Sequence, residues 1–145
     1  MRKLVPMLVA GAVAALALAA ISAARPAAVH LSAKLTASEE IPKQVVKDTR
    51  AHGQFTGTLT GTKLKWKLTY AGLTGKATAA HIHVGAAGKS GNVVVPLCGP
   101  CHSGMTGTAT ITKSLLKKIQ AHGTYVNVHT AKNPAGEIRG QLAAM

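Results

Sequence analysis

From Lys63 to Tyr70 the chain alternates without a break: Lys63, Lys65, Lys67 and Thr69 take turns with Leu64, Trp66, Leu68 and Tyr70. A period of two puts successive side chains on opposite sides of an extended backbone, so this segment must be a strand with one apolar and one basic face. A strand of this kind cannot stand alone, because its apolar face needs a partner sheet or a rolled continuation of its own sheet. The same period recurs along the chain. Gly61-Thr62 divides this strand from His52–Thr60, where Phe55 and Leu59 share a face, and the pair reads as a hairpin. Further strands are expected at 30–37, 77–84, 92–97, 106–111, 124–130 and 137–142. Each is bounded by Gly, Pro, Asn or Ser. One helix near 113–122 interrupts them, with Thr112 as N-cap, Leu115, Leu116 and Ile119 on one side, and Gly123 as its end. Seven or eight short strands with frequent turns predict an all-β, antiparallel sandwich.

Ahead of the strands, Arg2 and Lys3 precede a charge-free apolar run from Leu4 to Ile21, followed by Ser22, Ala23 and Ala24. A basic start, an apolar middle and a small-residue end are the parts of a secretory signal peptide over 1–24, with an uncleaved membrane anchor as the alternative. The expected location is therefore secreted or extracytoplasmic, in a periplasm or on a cell surface. The remaining chain forms one domain over 30–143.

Charge then narrows the partners. Seventeen Lys and Arg stand against four Asp and Glu, a formal net charge of +13. Four carboxylates are too few for an EF-hand or an acidic magnesium site. The stripe Lys63, Lys65, Lys67 and the loop group Lys43, Lys47, Arg50 favour an anionic envelope polymer, with an extracellular protein as the other partner considered. Nucleic acid is disfavoured by export and by the lack of aromatic side chains among the basic ones. The membrane enters only through an uncleaved N-terminal segment. No Gly-x-Ser-x-Gly or Walker-type string occurs, and no base, acid and nucleophile constellation is visible, so an enzyme is not expected.

Cys98 and Cys101 form a C-x-x-C pair inside Leu97-Cys98-Gly99-Pro100-Cys101-His102. Haem c attachment, a thioredoxin-like redox pair, a metal site and a small disulfide all fit that string. Thioredoxin chemistry needs a helix after the motif, and haem needs a large apolar pocket; neither is foreshadowed here. In an exported chain the pair is expected to oxidise to a disulfide that pins the loop after the 92–97 strand.

The seven histidines carry the sharpest chemical signal. His81 and His83 project to one side of their strand, opposite Ile82 and Val84, and His129 opposes Val126 and Val128 on another. If the aliphatic residues are buried, all three imidazoles share one solvent-facing surface. Were the strands neighbours, they would form an N₃ set for copper or zinc, titrating between pH 5 and 7. His-x-His on a sandwich strand resembles the copper-ligand strand of copper/zinc superoxide dismutases. The further copper histidine and the zinc site of those enzymes have no counterpart, so that activity is not expected.

Four segments in order resemble the CHRD domain, a module named after chordin and common in bacterial exported proteins. They are Leu35-Thr36-Ala37-Ser38-Glu39-Glu40-Ile41-Pro42, Ala80-His81-Ile82-His83-Val84-Gly85, Gly91-Asn92-Val93-Val94-Val95-Pro96-Leu97, and Tyr125-Val126-Asn127-Val128-His129-Thr130 with Asn133-Pro134-Ala135-Gly136-Glu137-Ile138-Arg139-Gly140-Gln141. The resemblance implies an immunoglobulin-like β-sandwich outside the cytoplasm. It makes an exported binding module the expected function, with a copper- or zinc-binding protein as the alternative.

Overall fold

A computed structural model describes residues 26–43 and 50–145. The strands are β1 (Val29–Thr36), β2 (His52–Thr60), β3 (Lys63–Ala71), β4 (Ala77–Val84), β5 (Val93–Cys98), β6 (Met105–Thr110), β7 (Thr124–Thr130), β8 (Ile138–Gln141) and β9 (Ala143–Ala144). A 3₁₀ turn at Ala37–Glu39 follows β1, and helix α1 covers Lys113–Gln120. The strands form one antiparallel sheet in the order β5-β4-β7-β8-β1-β2-β3-β6, with β9 pairing on β1. Its two ends, β5 and β6, meet, so the sheet rolls into a nearly closed barrel or sandwich. Closure of this kind leaves little free strand edge.

The alternation of β3 is realised from Lys63 to Leu68, while Thr69 and Tyr70 are both partly buried. Leu64, Trp66 and Leu68 are buried while Lys63, Lys65 and Lys67 are exposed. Leu31, Ala33, Leu35, Phe55, Leu59, Ile82, Val126, Val128 and Ile138 meet them inside the barrel. Trp66 is the largest of these side chains, and the sequence makes room for its indole with a glycine on β6. Gly57 and Gly107 are its cross-strand partners, and a Cβ at Gly107 would collide with the indole.

Thr112 caps α1, its hydroxyl accepting from Leu115 N at 3.1 Å, and Leu115 and Ile119 turn inward. The helix ends earlier than expected. Ala121 is the C-cap and His122, not Gly123, takes the left-handed conformation at φ 53°. The short β9 was not foreseen. Among the described residues no helix is long and apolar enough to cross a membrane. The stretch 1–24 read as a signal peptide lies outside the described residues, as does Lys47 of the basic loop group.

Cys98 and Cys101 are joined as a disulfide at the end of β5. Cys101 N also donates to Ala77 O at 3.1 Å, fastening the bridged loop to the start of β4.

Candidate functional site

Antiparallel pairing of β4 with β7 sets His81 against Asn127, His83 against Tyr125 and Ala79 against His129. Neighbouring strands in register carry same-face side chains side by side, so His81, His83 and His129 come together on the side away from the core. One ring nitrogen from each lies within 4.8 Å of those of the other two. The ring centroids are 4.9 Å (His81–His129), 5.6 Å (His81–His83) and 5.8 Å (His83–His129) apart.

The shared face is as expected, but its exposure is not. His83 and His129 are each only 8% exposed, and all seven residues of β7 are buried. Three loops cover this face. The loop after β4 hydrogen-bonds to it through Gly91 O, which lies 2.9 Å from His83 Nδ1. The loop after β7 does so through Pro134 O, 3.0 Å from His129 Nδ1. The turn after β1 inserts Glu40, whose Oε2 accepts from Asn127 Nδ2 at 3.3 Å. Because a carbonyl only accepts, Nδ1 of His83 and of His129 must carry the proton, which leaves each Nε2 as a bare lone pair. His81 Nδ1, 3.1 Å from His129 Nε2, is then the donor of that bond. His83 Nε2 is buried with no partner.

Burial is the main force on the acid–base behaviour of the three rings. It lowers all three, and His81, next to the other two, falls to about 4. His81 is therefore neutral across the 5–7 range in which the sequence led us to expect a response. Neutral imidazole is the form that offers a lone pair.

The covered face continues away from the histidines. Tyr125 lies between two strands' side chains: His83 stacks on its ring at 4.8 Å, and the Arg139 guanidinium sits 3.4 Å from its centroid. Arg139 is itself buried and donates to Lys89 O (2.6 Å), Ala86 O (3.3 Å) and Gln141 Oε1 (3.2 Å). Burial raises Glu40 to about 7 despite the Arg139 charge and the Asn127 hydrogen bond.

Glu137 is buried too, but is treated oppositely. Burial alone would raise it, yet Thr130 Oγ1 (2.6 Å), Thr74 Oγ1 (2.7 Å), Thr74 N (2.6 Å) and Asn133 Nδ2 (3.0 Å) all donate to its carboxylate and hold it below the usual range. This fixes the 131–136 turn, and with it the Pro134 carbonyl that orients His129. Sequence reasoning singled out none of Glu40, Tyr125, Asn127, Glu137 and Arg139 as site residues. The available signal was that Glu40 and Glu137, two of only four acids, sit in motif segments beside apolar strand residues.

On the other half of the barrel the outer face is bare among the described residues. Cross-strand register aligns Thr60, Lys63 and Thr110; Thr58, Lys65 and Thr108; and Thr56, Lys67 and Thr106. The lysines thus form a central stripe with a row of threonine hydroxyls on either side. All are exposed except the partly covered Thr58. His30 and Ser32 of β1 extend the grid beside Thr58 and Thr56. A shallow trough of about 630 Å³ runs over this face, lined by His30, Thr56, Thr58, Lys65, Lys67 and Thr108 among others.

In a comparison with known families, the family model described as CHRD domain fits residues 31–142. No curated protein and no solved structure matches the chain.

Proposed function

Since the chain belongs to the CHRD domain family, we propose that it is an extracytoplasmic binding module that holds an anionic envelope polymer on its bare Lys/Thr face. The observation that carries this reading is the register of β2, β3 and β6, which sets Lys63, Lys65 and Lys67 in a line between two threonine rows. Lysines two apart on a strand repeat at about 7 Å, a spacing that suits charges repeated along an extended chain. Threonine hydroxyls donate and accept, and so can bond the phosphate, sulfate or carboxylate oxygens between them. The basic net charge of the whole chain adds long-range attraction for such a partner. Secretion is inferred from the N-terminal apolar run and suits a disulfide-bonded domain. A binder is favoured over a catalyst, because the three clustered imidazoles bond to one another and to carbonyls, not to a carboxylate and a hydroxyl nucleophile.

Titrating the purified chain with polyphosphate tests the reading. Binding is expected to weaken steeply with added salt, and Lys63→Gln/Lys65→Gln/Lys67→Gln to lower affinity by about tenfold or more. The same exchange at Lys113, Lys117 and Lys118 of α1 is expected to matter far less. A β3 triple variant that binds polyphosphate as tightly as the parent would overturn it.

A further inference from the structure

We infer that His81, His83 and His129 form a mononuclear site for one divalent transition-metal ion, copper(II) in preference to zinc(II), on the covered face of the barrel. This site is separate from the bare lysine face and does not depend on it.

Three observations carry the inference. The first is convergence: ligand atoms within 4.8 Å of one another come from two adjacent strands, and their backbones are fixed by the β4–β7 ladder. Metal–nitrogen bonds of about 2.0–2.1 Å place ligand nitrogens roughly 3.3–3.6 Å apart, so side-chain rotation alone closes the set. The second is preset tautomers. His83 and His129 each give their Nδ1 proton to a loop carbonyl, Gly91 O and Pro134 O, which leaves Nε2 free to ligate. Ligand histidines are oriented by such outer bonds, which also raise their basicity. The third is His83 Nε2 itself, a buried lone pair with no donor, in a ring that is 8% exposed. A buried acceptor left unpaired is unfavourable unless something occupies it.

The donor set chooses the ion. Three imidazoles with no carboxylate among them suit copper or zinc and not calcium, magnesium or manganese, and copper(II) binds nitrogen sites more tightly than zinc(II). On binding, the ion replaces the His81 Nδ1–H that now bonds His129 Nε2, and that proton moves to Nε2 of the same ring. Half-exposed His81 marks the solvent side, where water completes the coordination.

The test is titration of the chelator-stripped full chain with copper(II), followed by calorimetry and electron paramagnetic resonance. One copper per chain is expected, with hyperfine splitting from imidazole nitrogens and weaker zinc(II) binding at the same site. His83→Gln and His129→Gln should each weaken copper by more than about 100-fold, beyond the roughly 10- to 100-fold typical of losing an outer partner. His81→Ala, at the half-exposed ring, should keep the thermal melt and still weaken copper at least about tenfold. His122→Asn and the β3 triple lysine variant should bind copper as the parent does, so the metal site and the polymer face stand or fall separately. Several weak copper sites, or binding indifferent to His81→Ala and His83→Gln, would refute the site. Tighter zinc than copper would overturn the stated preference.

Discussion

The two halves of the rolled sheet obey the same period of two and end in opposite surroundings. Along β2, β3 and β6, residues facing away from the core are mostly Thr and Lys, with His52, Gln54 and Ala71, and nearly all meet solvent. Along β7 and β8 the equivalent positions are Tyr125, Asn127, His129 and Arg139, all buried, and Gln141, which is partly buried. Alternation fixes which side a residue takes; it does not fix what lies on that side. The covering comes from the loops. Gly91, Pro134 and Glu40 each bond a side chain of the covered half, while β2 and β3 of the bare half are joined by the short Gly61-Thr62 turn.

The sharpest way to break this contrast is to release a loop. Glu137→Ala removes an acceptor used by four donors, leaving Thr130 and Asn133, which are buried, and Thr74, which is partly buried, only the weaker hydrogen bonds among themselves. A loss of about 4 kcal/mol is expected from chemical denaturation, given ~1–3 kcal/mol per stranded buried group and some rescue by rotating hydroxyls. Thr108→Ala, an outward-facing change on the bare half, should stay within about 0.5 kcal/mol of the parent. Equal losses from the two would erase the distinction between the halves.

A smaller, pH-dependent effect is expected at Glu40. Its folded pKa of about 7 lies above the ordinary 4.5, so between those values the folded state keeps a proton that the unfolded chain has released. The Glu40 contribution to stability is therefore complete below pH 4.5, falls as pH rises, and is lost above about 7. Glu40→Gln imitates the neutral acid. Relative to the parent, it should gain on the order of 3 kcal/mol between pH 4.5 and 8. The comparison must be made as a difference, because the lowered histidines tilt the parent curve the other way over part of this range. A difference that does not change with pH would mean that Glu40 is solvated and its cover open.

Much of the architecture was legible in the sequence. β2, β4 and β7 have the bounds that periodicity and turn residues indicate, and the other long strands shift by a residue or so at their ends. The disulfide and the common side of the three histidines also followed from local pattern. The cover did not. Tyr125, Asn127 and His129 alternate with Thr124, Val126 and Val128 like any strand with one wet face, and long-range contacts, from residues 40, 91 and 134 and from Arg139 over Tyr125, dry it. The end of α1 was missed for a local reason, since His122 adopts the left-handed turn that Gly123 would accept more readily.

The central claim is that the loops hold His83 and His129 as Nδ1–H tautomers, with Nε2 of each left unprotonated. Long-range ¹⁵N–¹H correlation spectra of the metal-free chain near pH 7.5 read the protonation of each ring nitrogen directly. The account predicts a protonated Nδ1 and a bare Nε2 for both residues, each in a single tautomer. Rapid tautomer averaging, or protons resident on Nε2, would contradict it.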